Sequence, residues 1–151
     1  MTDVRFYHLK VTSLDRALPR LLAKAFDAGW RAVVMAGSAE RVEALDAALW
    51  TFDPGSFLPH GRARDDAPEK QPIYLTTREE NPAGANLLVL TDGVEVDPAF
   101  LGGFERCLDV FDGNDPEAVA AARDRWRRLK EAGHEITYWR QNERGAWEKA
   151  G

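Results

Sequence analysis

RAVVMAG, residues 31–37, is a nearly continuous apolar run. A strand with one wet face alternates. A strand with no polar face needs cover on both sides, which is the pattern of parallel sheets held between helices. The flanking segments agree. LDRALPRLLAKAFDAGW (14–30) places Leu14, Leu18, Leu21, Leu22, Ala25 and Phe26 on one helical face, and Gly29 suits the helix stop. Pro19 is awkward inside a helix, so the regular part is expected to begin near Arg16 or later. Ser38 is placed to cap AERVEALDAALW, with Glu40 near the positive helix end. FYHLK (6–10) alternates like a strand. Strand, helix, strand, helix in this order predicts an α/β fold with a parallel sheet and covering helices.

The middle is looser. Residues 51–72 carry four prolines and many charges, with one short strand expected near SFLPH. IYLTT (73–77) and NLLVLTDG (86–93) read as strands, and CLDVFDG (107–113) as another. Asp97-Pro98 and Asp115-Pro116 read as a helix cap followed by a first helical position, predicting a short helix over 98–105 and a longer one to about Ala132, stopped at Gly133. The tail EITYWRQNERGAWEKA reads as two short strands around a turn at Asn142–Gly145. A length of 151 residues favours a single domain, 1–151. VVMAG and LLVL, the longest apolar runs, are far too short to span a bilayer, and the N-terminus does not read as a signal peptide. With Cys107 the lone cysteine, neither an internal disulfide nor a cysteine zinc site is expected, and the default compartment is the cytoplasm.

Catalytic patterns are scarce. His8, His60 and His134 have no second ligand at metal spacing, so no metal site is expected. Ser38 opens a helix as an α/β nucleophile would, but MAGSAE is not G-x-S-x-G and a capping role is plainer. Gly37 stands at a strand-to-helix junction where anions bind well, and Asp92 ends an apolar strand like a magnesium ligand. Without G-x-x-x-x-G-K-[ST], however, nucleotide hydrolysis has no support, and Asp92 reads better as a turn residue. No cofactor is expected.

Two helical faces look wrong for a core. At ~100° per residue, Val42, Leu45 and Leu49 form a stripe from which Trp50 lies roughly 120° away, beside Glu43 and Asp46. Trp50 is therefore expected at the surface, with Phe57, Pro59 and His60 close by as a partner patch. On helix 116–132, Val119, Ala122, Trp126 and Leu129 form the stripe, with Arg123 and Lys130 flanking it and Arg127 further round. RDRWRRLK (123–130) has five basic residues and one acidic residue in a chain of net charge −5. This is either a solvated face or a groove with an apolar floor and a cationic rim, suited to an acidic peptide with an apolar anchor. Single-stranded DNA is the other candidate, disfavoured by the negative chain.

These segments resemble the chi subunit family of bacterial DNA polymerase III. The resemblance rests on FYHL near the start, on LDAALWTFDPGSFLPHG (45–61), and on FDGNDPEAVAAARDRWRRLKEAG followed by YWRQNERGAWEK. It implies a three-layer α/β/α fold with a mostly parallel central sheet, similar to that of P-loop ATPases but without the phosphate loop. It implies a non-catalytic accessory subunit, monomeric when alone, that touches DNA only indirectly and works at the replisome in the cytoplasm. One surface would bind the C-terminal tail of single-stranded DNA-binding protein, acidic and ending in phenylalanine. Val119, Arg123, Trp126, Arg127 and Lys130 fall there, with Trp126 where relatives often carry tyrosine. Another surface, carrying Trp50, Phe57, Pro59 and His60, would face the psi subunit and hence the clamp loader. The alternatives are a degenerate nucleotide-binding enzyme using Gly37, Ser38 and Asp92, or a direct binder of single-stranded DNA.

Overall fold

The computed structural model describes residues 2–51, 61–62 and 72–150. The apolar run is strand β2 (Ala32–Met35), buried at all four positions, between β4 (Ile73–Thr76) and β5 (Leu87–Leu90), both parallel to it. With β1 (Asp3–Leu9), β3 (Gly61–Arg62), β6 (Arg106–Asp112), β7 (Glu135–Gln141) and β8 (Trp147–Lys149), it builds an eight-stranded sheet in the order β3-β4-β2-β5-β6-β1-β7-β8. Every neighbouring pair is parallel except β7 and β8. The strand expected at SFLPH falls among residues 52–60, outside the described residues.

Helices cover both faces, because strand alternation sends successive side chains to opposite sides. Tyr7, Leu9, Val34, Val89 and Val110 meet Leu18 and Leu22 of α1 (Leu14–Asp27) and Leu45 and Leu49 of α2 (Ala39–Thr51). Val4, Phe6, Val33, Leu88 and Phe111 meet Leu101 of α3 (Pro98–Leu101) and Ala122 and Leu129 of α4 (Pro116–Glu131). The result is the expected three-layer α/β/α arrangement with a mostly parallel sheet. Fully buried side chains such as Phe6, Leu18, Leu45 and Leu88 each contribute roughly 1.5–3 kcal/mol.

The helix signals hold locally. The Ser38 hydroxyl accepts the Arg41 amide at 3.2 Å, and the Asp97 and Asp115 carboxylates accept the amides of Ala99 and Glu117 at 2.9 and 3.0 Å. Gly29 takes φ +88° after α1, and the Trp30 amide returns to the Ala25 carbonyl at 2.9 Å. Strand β1 begins at Asp3, three residues before FYHLK, and two helix boundaries also differ from expectation. Helix α1 begins at Leu14 despite Pro19, because the Ser13 carbonyl already accepts Arg16 and Ala17 and closes the first turn. The proline removes one bond, to the carbonyl of exposed Asp15, which water can satisfy, and its ring is buried. Helix α3 stops at Leu101 rather than at 105, where Gly102 and Gly103 follow. In the tail, the Asn142 carboxamide oxygen accepts the Arg144 and Ala146 amides at 2.9 and 3.1 Å, turning β7 into β8.

Candidate functional site

Helix α4 presents Val119, Ala122 and Trp126 to the sheet three and four residues apart, the spacing that stacks side chains on one face. Beneath them, Phe111 comes from β6 and Tyr138 from β7. These five residues and Arg123 line a cleft of about 230 Å³. That is below the usual range of small-molecule sites, about 300–1,000 Å³, and suits a single side chain of a partner. Its walls are apolar and aromatic, with the Arg123 guanidinium at the mouth.

Of the five basic residues of RDRWRRLK, few reach this cleft. Arg123 is exposed and lines it. Lys130 lies over the Trp126 ring, its Nζ 4.7 Å from the centroid. Arg127 stands outside the lining, 3.8 Å from Asp124 on the exposed side of the helix. Arg128 pairs with Glu95. Arg125 turns inward: its Nε and Nη2 donate to the two Asp109 carboxylate oxygens at 2.6 and 2.9 Å, with both residues buried. Burial pushes the Asp109 carboxyl above its ordinary range, against the opposing pull of the guanidinium. The rim predicted from the run is thus thinner than its charge suggests, with Val119 and Trp126 half-buried in the wall.

Strand β7 supplies what the helix does not. Arg140 lies 5.9 Å from the Tyr138 ring centroid, and the Tyr138 hydroxyl meets His8 Nδ1 at the floor. Burial, followed by the charges of Arg140, Lys10 and Arg123, holds the His8 imidazole below its ordinary 6.5, with Asp112 pulling the other way. Burial likewise raises the Tyr138 phenol, keeping it protonated. The His8 ring fits only because residue 113 is glycine: a Cβ there would stand 1.9 Å from His8 Cδ2. Nothing in the sequence singles out Tyr138, Arg140 or Phe111, and His8 enters it only as a candidate metal ligand that lacks a second ligand. Strand alternation pairs Phe6 with His8 and Tyr138 with Arg140, but only the β6-β1-β7 adjacency brings all of them beneath α4.

The residues considered for nucleotide chemistry are engaged in scaffolding. The Ser38 hydroxyl caps α2, and the Gly37 amide donates to Asp92 Oδ2 at 3.1 Å. Asp92 sits at φ 55° in a turn and pairs with Arg41 at 3.3 Å. The loop after β1 does form a nest of amides, but Lys10, Val11 and Thr12 all donate to Gln141 Oε1, at 2.9, 3.1 and 3.3 Å. Among the described residues no group of three or more His, Cys, Asp or Glu could hold a metal ion, and no helix is long and apolar enough to cross a membrane.

Trp50, one residue before the end of α2, is 54% exposed, as its angular position predicted. Phe57, Pro59 and His60 lie outside the described residues.

The family described as DNA polymerase III chi subunit, HolC, matches residues 1–137. The DNA polymerase III subunit chi of Pseudomonas aeruginosa is 31% identical over 140 residues, 90% of this chain and 94% of that protein. A probable DNA polymerase III subunit chi of Rickettsia prowazekii is 31% identical over 96 residues, 64% of this chain, and the match spans 58% of the Rickettsia protein's length. Among solved structures, T4 UvsW superposes with a TM-score of 0.64 at 10% identity, covering 92% of this chain and 41% of that one. The C-terminal domain of S. cerevisiae Dbp5, bound to Gle1 and IP6, gives 0.55 at 9% identity, covering 91% and 90%. At such identities the structural likeness concerns the fold alone.

Proposed function

Since the chain belongs to the DNA polymerase III chi subunit family, an accessory subunit of the replicative polymerase, we propose that it acts as a non-catalytic bridge in the cytoplasm. One face would hold the C-terminal tail of single-stranded DNA-binding protein. The other would dock on the clamp loader through psi, so that DNA is reached only indirectly. The observation that carries the tail reading is the α4 cleft: an apolar hole sized for one side chain, with Arg123 at its mouth and Arg140 and Lys130 beside it. The tail's terminal phenylalanine would enter between Trp126, Val119 and Phe111. Its carboxylates would meet Arg123 first, with Lys130 and Arg127 giving longer-range attraction. Exposed Trp50, with Phe57, Pro59 and His60, would form the psi-facing patch. The non-catalytic reading is supported by the amide nest being taken up by Gln141 and by Asp92 being taken up by Gly37 and Arg41.

The test is a titration with the tail peptide, with and without its final phenylalanine. The full peptide should bind and the truncated one should lose most of its affinity. Arg123→Ala should cost about 1.5–3 kcal/mol, the range for a hydrogen bond to a charged group, where the bound tail partly buries the pairing. Equal binding by the two peptides would remove the cleft from this role.

A further inference from the structure

A second groove lies on the opposite face of the sheet, between α1 and the β7–β8 hairpin, with a volume of about 820 Å³. Its floor is apolar: Leu21 and Ala25 of α1, Leu87 and Leu108 of the sheet. Its cations are Arg5, Arg20, Lys24 and Arg106, and among the described residues that line it there is no Asp or Glu. In a chain of net charge −5 this separation is sharp. The neighbouring cleft at the far ends of β1 and β6 is mixed, with Lys10, Arg41 and Arg125 lining it beside Asp92, Asp112, Asp115 and Glu117.

Three of the chain's five tryptophans stand in this groove, so most of its indole surface is concentrated on one face. The Arg106 guanidinium lies over Trp30 at 4.6 Å, and that of Arg5 over Trp139 at 5.9 Å. Both arginines are also steadied by Asp3, at 3.1 and 3.3 Å. An arginine stacked on an indole is held in place while its outer donors remain available to a planar acceptor. Arg20 and Lys24, one helical turn apart and exposed, have no ion-pair partner among the described residues. Cationic rim, aromatic body and aliphatic floor are the composition of an interface core awaiting an anionic, apolar partner.

We propose that this groove docks an acidic protein segment carrying large apolar side chains, and that it is separate from the α4 cleft. The observations favour a protein over single-stranded nucleic acid. Base stacking needs free ring faces. Here Tyr7 packs against Trp139 (6.3 Å, 20°) and edge-on against Trp147 (4.8 Å, 78°), while guanidinium groups cover Trp30 and Trp139. The net negative chain also opposes a long phosphate backbone more than a short peptide with a few carboxylates. The proposal does not depend on the tail reading of the α4 cleft.

The test uses the full chain and three probes. These are a synthetic peptide with Leu at amphipathic helical spacing and Glu elsewhere, its Lys-for-Glu counterpart, and oligo-dT. Indole N–H resonances report where each binds. The Glu peptide should shift Trp30, Trp139 and Trp147 and leave Trp126 in place. The Lys peptide should shift none of them. The double variant Arg20→Glu/Lys24→Glu, altered only at exposed sites, should weaken the Glu peptide by about tenfold or more, whereas Arg123→Glu should leave it unchanged. Four outcomes would overturn the proposal: no shift with the Glu peptide, a shift centred on Trp126, equal affinity in the double variant, or oligo-dT shifting the three indoles in place of the peptide.

Discussion

His8 stands behind the floor of the α4 cleft, its Nδ1 meeting the Tyr138 hydroxyl. Its imidazole is half-buried between Phe111 and Tyr138, and Arg140, Lys10 and Arg123 oppose its charge more than Asp112 favours it. Its folded pKa therefore lies below the 6.5 expected of an unfolded chain. In that window the unfolded chain binds a proton that the folded chain lacks, so stability rises with pH and is lost as pH falls from neutral. His134 acts in the same direction: burial lowers it, and its Nδ1 accepts the Thr2 amide at 3.1 Å. Urea midpoints should drop between pH 7.5 and 5, and His8→Gln should flatten that dependence. His134 keeps part of the slope in that variant, and a slope undiminished by His8→Gln would place the effect elsewhere. An anionic ligand in the cleft should raise the His8 pKa, which an imidazole titration by NMR would read. FYHLK itself shows only Lys10; Arg140, Asp112 and Arg123 come from β7, the end of β6 and α4, and only the fold brings them to His8.

Helix α4 shows how far a pattern can be read before packing intervenes. Its caps, length and apolar stripe followed from Asp115-Pro116, the three-and-four spacing and Gly133. The fate of its cations did not. A basic run in a solvated helix reads as rim, yet Arg125 shares the inward face with Ala122 and Leu129, and Asp109 of β6 is positioned to receive it. Removing one partner of such a pair leaves an uncompensated buried charge, so Asp109→Ala should cost about 3–5 kcal/mol in chemical denaturation. Asp109→Leu combined with Arg125→Met should recover most of that loss, since an apolar pair of similar volume has no desolvation to offset. A single substitution costing under about 1 kcal/mol would mean the pair is not closed in solution. The pair ties α4 to β6 one residue from Trp126, so Asp109→Ala should also loosen the Trp126 wall of the cleft.

Across the described residues, the acidic chain carries two recesses on opposite sides of one sheet, the α4 cleft with Arg123 in its lining and the groove beside α1 with Arg5, Arg20, Lys24 and Arg106. Apart from Arg123, whose pairing the bound tail would partly bury, attraction to an acidic tail at the α4 cleft would rest on exposed groups, worth about 0.2–1 kcal/mol each. The screening length shrinks from about 10 Å at 0.1 M to about 3 Å at 1 M salt. Tail-peptide affinity should therefore fall by about 3-fold or more over that range, mostly through slower association, while the requirement for the final phenylalanine persists. Affinity indifferent to salt would argue that the cations are bystanders. The α/β class, the parallel sheet, the capped helices and the surface position of Trp50 were legible in the chain because they follow from periodicity and local hydrogen bonding, which act over a few residues. Strand order, the β1–β7 adjacency that gathers His8, Tyr138 and Arg140, the inward turn of Arg125 and the seating of Gln141 in the amide nest were decided only by tertiary structure. Each joins residues far apart in sequence, and which long-range partner a polar side chain finds depends on burial and geometry that no local pattern encodes.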